Sequence, residues 1–85
     1  MHRSHGSDAT ALKKEGNGYF AKGSYEMAIA CYTSAIDLWM DPEDRAVLYL
    51  NRAAARLKQN EESKWRLALT DCERAVELHP ANAKA

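Results

Sequence analysis

Asn51 stands in the stretch "VLYLNRAAARL", residues 47 to 57, where Val47, Leu50, Ala54 and Leu57 recur at helical spacing. Asparagine suits the interior of such a helix poorly, because its side chain competes with the backbone for hydrogen bonds. Earlier in the chain, Lys13 and Asn17 stand at i and i+4, so a helix makes them neighbours on one flank. Both lie beside an apolar stripe of Ala9, Leu12, Gly16, Tyr19 and Phe20, and Asn51 has the same relation to its own stripe. An amide offers two N–H donors without charge, and an ammonium offers three with charge. Converging on one point, these groups suit the charge-assisted binding of a carboxylate. Each residue taken alone also has a plainer assignment. The lysine would be solvated, and the asparagines would bond a neighbouring carbonyl and fix a helix crossing.

The totals leave room for little other chemistry. Eighty-five residues make one small domain, which buries a modest share of its surface. A formal net charge of zero argues against nucleic acid or a membrane surface as partner. Cys31 and Cys72 sit in helical patterns beside apolar residues with no CxxC pair, which points to buried thiols in a reducing, cytoplasmic setting. No apolar run approaches the ~18 residues of a membrane helix. The opening "MHRSHGS" lacks the apolar centre of a signal peptide and reads as a disordered tail or cloning remnant, so His2 and His5 are not assigned to a metal. No nucleophile–base pair, paired acids or phosphate loop is present. The expectation is a protein without catalytic residues, cofactor or metal.

Four helical segments must position the amides. The first runs from about Asp8 to Lys22, with Ser7 or Asp8 as cap; Gly23 suits the left-handed residue that ends it. The second runs from Tyr25 to Trp39 after Ser24. In "MDPED", Asp41 caps and Pro42 opens a third helix that ends near Lys58. The fourth begins near Glu62 or Ser63, and Pro80 stops it after His79.

The second and fourth segments carry apolar residues at the same offsets. The first set is Tyr25, Ala28, Ile29, Tyr32, Ala35 and Ile36. The other is Trp65, Ala68, Leu69, Cys72, Ala75 and Val76. Each also has a second stripe on its opposite side, Met27 with Leu38 and Leu67 with Leu78. A helix apolar on two sides is packed on two sides, which is the pattern of stacked repeats. In such a stack the first helices of successive units line the hollow face, so Lys13, Asn17 and Asn51 should meet in one groove.

The order Leu12, Gly16, Tyr19, Ala28, Tyr32, Ala35 resembles the tetratricopeptide repeat, a helix-turn-helix unit of about 34 residues. Met40 takes the slot of the repeat's proline, which comes two residues later as Pro42. In the second half Tyr49, Ala53, Ala68, Cys72, Ala75 and Pro80 follow the pattern, Arg56 replaces the tyrosine, and the loop "KQNEESK" is three residues longer. The resemblance implies an all-α fold: antiparallel helix-turn-helix repeats stacked as an α-solenoid. It gives a tail over 1–7, repeats over 8–42 and 43–80, and the start of a third repeat or a frayed tail over 81–85.

More narrowly, "LKKEGNGYF" and "VLYLNRAAARLK" resemble the tetratricopeptide domains of heat-shock co-chaperones, among them the adaptor joining heat-shock proteins 70 and 90, the myosin chaperones, and immunophilin and phosphatase modules. Such domains hold a chaperone's acidic C-terminal peptide, ending EEVD, in a carboxylate clamp. By position the clamp falls on Lys13, Asn17, Asn51 and Lys84, and the family's fifth member, an arginine, would lie beyond Ala85. The competing expectation is a structural scaffold that self-associates through Leu67 and Leu78 or docks on another domain of a larger parent. A regulatory domain attached to an enzyme is a third. Arg52 and Arg56 are expected to be solvated or paired with acids, Trp65 to pack in the core, and Trp39 to be partly exposed.

Overall fold

The computed structural model describes residues 5–38 and 41–78, with side chains from Asp8 onward. The described residues form four helices and no strand: α1 (His5–Ala21), α2 (Tyr25–Leu38), α3 (Pro42–Lys58) and α4 (Glu62–Leu78). Helix α1 packs on α2, α3 on α4, and α2 on α3. The result is two antiparallel hairpins stacked in chain order, the tetratricopeptide architecture. Trp39, Met40, the stop at Pro80 and the segment 81–85, Lys84 included, lie outside the described residues, as does the tail before His5. Helix α1 starts three residues ahead of Asp8.

Local chemistry accounts for the ends of the helices. After Ala21 the chain closes with the N–H of Ser24 on the Tyr19 carbonyl (2.9 Å) and that of Gly23 on Phe20 (3.0 Å), the paired bonds of a Schellman turn. Gly23 takes φ +83°, which glycine reaches without a Cβ clash. The ring of Phe20 meets that of Tyr25 edge-on at 5.4 Å across this turn. At α3, the Asp41 carboxylate accepts from the N–H groups of Glu43 (2.8 Å) and Asp44 (3.2 Å), and Pro42 fills the first turn, where its missing N–H costs nothing. The longer loop before α4 turns on Asn60, held at φ 59°.

Small residues make the core. Ala9, Ala28, Ala35, Ala46, Ala53, Ala55, Ala68 and Ala75 are all buried, so the helix backbones approach closely. Gly16 marks the tightest approach: a Cβ there would lie 2.8 Å from Cε1 of Tyr32 and 3.1 Å from Cβ of Cys31. Tyr32, Ile36, Leu48 and Tyr49 supply most of the buried bulk.

One buried carboxylate ties α3 to α4 within the second hairpin, and one of its arginines reaches across to the first. Asp71 of α4 is 1% exposed, and Arg52 of α3 grips both of its oxygens, Nε to Oδ2 at 3.1 Å and NH2 to Oδ1 at 2.7 Å. Arg56, one turn on, donates to Oδ2 at 2.7 Å. NH1 of Arg52 also reaches the Thr33 hydroxyl of α2 at 2.9 Å, and its guanidinium lies 5.2 Å from the centre of the Tyr49 ring. Pairing with acids was thus the correct alternative for both arginines.

Several apolar residues sit elsewhere than their spacing implied. Leu78 packs against the core, as Leu38 does in α2, so it is no part of an exposed strip; Leu67 is exposed. Met27 is 50% exposed and shares an open cavity with Gln59 at the end of α3. Trp65 is 47% exposed, with Leu69 at 62% and Val76 at 43%. Their counterparts in α2, Tyr25, Ile29 and Ile36, all pack in or against the core. The cause is position in the stack: α3 covers α2, and no described helix follows α4 to cover its equivalent face.

Removing one member of a buried ion cluster leaves the others uncompensated. Asp71→Ala should therefore destabilise the domain by about 3–5 kcal/mol, a large share of a small domain's stability. Urea denaturation followed by circular dichroism measures this, and a loss well under 1 kcal/mol would show that the cluster does not hold α3 on α4.

Candidate functional site

Between the hairpins, on the side lined by α1 and α3, lies an open cavity of about 270 Å³. Asn17 and Phe20 of α1 wall one side, Asn51 and Ala54 of α3 the other, and Tyr32 of α2 forms the floor. The helical repeat explains the choice of residues. Asn17 and Phe20 are one turn apart on α1, as Asn51 and Ala54 are on α3, so each helix presents one amide and one apolar group to the same space. The sequence expectation put Lys13, Asn17 and Asn51 in one groove; the two amides line the same cavity. Lys13 stands one turn before Asn17 on α1, half-buried, and is not among the residues lining the cavity.

The two amides are held differently. The Tyr32 hydroxyl donates to Oδ1 of Asn17 at 2.5 Å. That bond occupies the amide oxygen and leaves the NH2 group free for the groove. Among the described residues the Asn51 side chain has no hydrogen-bond partner. Neither amide is turned onto a main-chain oxygen, so the plainer assignment, a bond to a neighbouring carbonyl, does not describe them. What the groove offers is N–H donors flanked by apolar walls, an arrangement suited to an anionic, oxygen-bearing group.

Tyr32 has a place in this site that its sequence position hid. At helical spacing it reads as a core aromatic, and it is indeed 2% exposed, yet its hydroxyl emerges beside Asn17. The signal was the residue type: a buried tyrosine needs a partner for its O–H, where phenylalanine needs none. Burial, and then the neighbouring Cys31, raises the Tyr32 phenol above its ordinary range, so it is a protonated donor at neutral pH. Burial, and then the nearby Glu15 charge, likewise raises the Cys31 thiol. Among the described residues no group of three or more His, Cys, Asp or Glu could hold a metal ion, and no helix is long and apolar enough to cross a membrane.

Comparison with known proteins places this chain beside segments of much larger ones. It is 46% identical over 79 residues to human mitochondrial import receptor subunit TOM70, an alignment covering 91% of this chain and 12% of the relative. It is 40% identical over 78 residues to protein unc-45 homolog B of Xenopus tropicalis, covering 92% of this chain and 8% of that one. It is 42% identical over 78 residues to sperm-associated antigen 1A of Danio rerio, covering 86% and 18%. The chain thus spans less than a fifth of the length of each of these relatives. No protein-family model and no solved structure matches it.

The two thiols provide a direct check on the geometry around the floor of the groove. Cys31 is buried with its pKa raised, whereas Cys72 is half-exposed on the uncovered face of α4. Because the thiolate is the reactive form, iodoacetamide should modify Cys72 at least about tenfold faster than Cys31 in the native chain. The two rates should converge in urea; mass spectrometry of timed digests reads both.

Proposed function

We propose that the chain is a protein-interaction module of a co-chaperone, binding the acidic C-terminal peptide of heat-shock protein 90 or heat-shock protein 70, ending EEVD, through a carboxylate clamp. The observation that carries this reading is that Asn17 and Asn51, from different hairpins, line one cavity with their N–H donors uncommitted. In this reading the amides donate to the oxygens of the terminal aspartate. Lys13 and, by resemblance, Lys84 supply positive charge to the ligand, and charge-assisted bonds of this class are the stronger ones. Lys84 enters by resemblance, since it lies outside the described residues. Phe20 and Ala54 give the residue upstream of the aspartate an apolar surface. The relative whose name is a receptor subunit accords with binding as the task. The module works by capture without catalysis, cofactor or metal, and a cytoplasmic location goes with its ligand.

Calorimetric titration of a short EEVD-ending peptide into the 85-residue chain tests this proposal. Binding should fall sharply when the peptide's C-terminus is amidated. Lys13→Ala and Asn51→Ala should each weaken it about tenfold, the worth of one charge-assisted hydrogen bond. Their thermal midpoints should stay close to that of the parent. Equal affinity for the free and the amidated peptide would remove the clamp.

The exposed apolar face of α4 favours a second reading, a scaffold that stacks on another domain of a larger protein or on a second copy. Trp65, Leu69 and Val76 form that face, in place of the Leu67 and Leu78 pair. On this reading light scattering at high concentration should show a dimer or larger species that Leu69→Ser disperses. A monomer at all concentrations would remove self-association.

A further inference from the structure

We propose that Tyr32 sets the polarity of Asn17: its hydroxyl holds the amide oxygen, turns the NH2 group into the groove, and so makes the groove prefer a carboxylate over an amide. The inference deepens the clamp reading and rests on it.

An asparagine amide is nearly symmetric in shape, and a half-turn of its last torsion exchanges an acceptor for donors. In water either end serves. At Asn17 the choice is decided from below. The Tyr32 hydroxyl lies 2.5 Å from Oδ1, and no other acceptor among the described residues takes its proton. Were the amide reversed, NH2 would face the phenol oxygen and the part-buried hydroxyl proton would lose its protein acceptor, which carries a penalty. The phenol cannot escape this by ionising, since burial raises its pKa.

The ring itself has little freedom. It is 2% exposed and lies against Gly16, the residue before Asn17, so closely that a Cβ at Gly16 would fall 2.8 Å from Cε1. One contact therefore seats the ring beside the α1 backbone, and the next residue along α1 receives its hydroxyl. Asn51, without such a partner, adapts to the ligand, whereas Asn17 is aimed before the ligand arrives. Preorganisation of that kind favours a carboxylate, which only accepts hydrogen bonds. It disfavours a C-terminal amide, which must also place its own donors.

The test is the selectivity of Tyr32→Phe, a change that keeps the ring and removes one oxygen. Free-acid and amidated forms of a short peptide ending in aspartate are titrated into the 85-residue chain. The wild type should prefer the free acid, and Tyr32→Phe should lower that preference about tenfold, the worth of one oriented hydrogen bond to a charged group. In the Asn17→Ala background, Tyr32→Phe should have no further effect, since the two residues act as a unit. Unchanged selectivity in Tyr32→Phe, or independent losses from the two substitutions, overturns the assignment and leaves the clamp standing. A wild type that binds both peptides alike removes the clamp reading and this assignment with it. Where Tyr32→Phe fails to fold, nuclear magnetic resonance of the wild type decides. The Asn17 side-chain amide should be as ordered as the backbone; motion as free as that of Asn51 overturns the proposal.

Discussion

A carboxylate that is almost wholly shielded from water cannot stand alone, and Asp71 obliges two guanidiniums to come to it. Arg52 and Arg56 both belong to α3, so the register of α3 on α4 is fixed by charge as well as by packing. Arg52 continues to Thr33 of α2, and the same side chain therefore spans the junction between hairpins. Asn51 is the residue before Arg52. On a helix, neighbouring residues point about 100° apart, so holding Arg52 toward the buried acid holds Asn51 toward the groove. The binding surface on one side of α3 is thus a consequence of an ion cluster on another.

The alanine-rich interior explains why such a cluster is useful. Alanines let helices approach closely but bury little apolar area per residue, and a domain of this size has few large side chains to add. Tyr32 and Tyr49 supply bulk, and each also carries a polar or π contact, Tyr32 to Asn17 and Tyr49 to Arg52. The core and the site are therefore built from the same residues. A change made to loosen the core at Gly16 or Tyr32 reaches the groove at once, because one ring serves both. The uncovered face of α4 belongs to the same logic. Each helix in a stack is finished by the next, and Leu69 and Val76 occupy the positions that α3 covers on α2.

What could be read from the amino acids was mostly local. Gly23 at a left-handed turn, Asp41 capping, Pro42 opening α3 and the four helices themselves follow from interactions within a few residues, though α1 begins at His5, ahead of the Ser7 or Asp8 cap that the sequence suggested. The pairing of Asn17 with Asn51 was legible because the repeat makes first helices equivalent. That symmetry carries a residue on α1 and one on α3 to the same side.

The rest depended on which surfaces meet. Periodicity distinguishes an apolar stripe from a polar one, but not a stripe that finds a neighbour from one that does not. Trp65, Leu69 and Val76 read as core and stand exposed, whereas Leu78 read as exposed and packs inward. Asp71 lay among apolar positions of α4, and only the approach of α3 made that place tenable for a charge. Tyr32 read as packing alone, and only the Gly16 crossing brought its hydroxyl to Asn17. Helix formation, capping and turn geometry were determined by the sequence itself, because their energies are settled between near neighbours in the chain. Burial, ion pairing and the aim of the amides were decided by the tertiary structure, because each depends on a group that arrives from another helix.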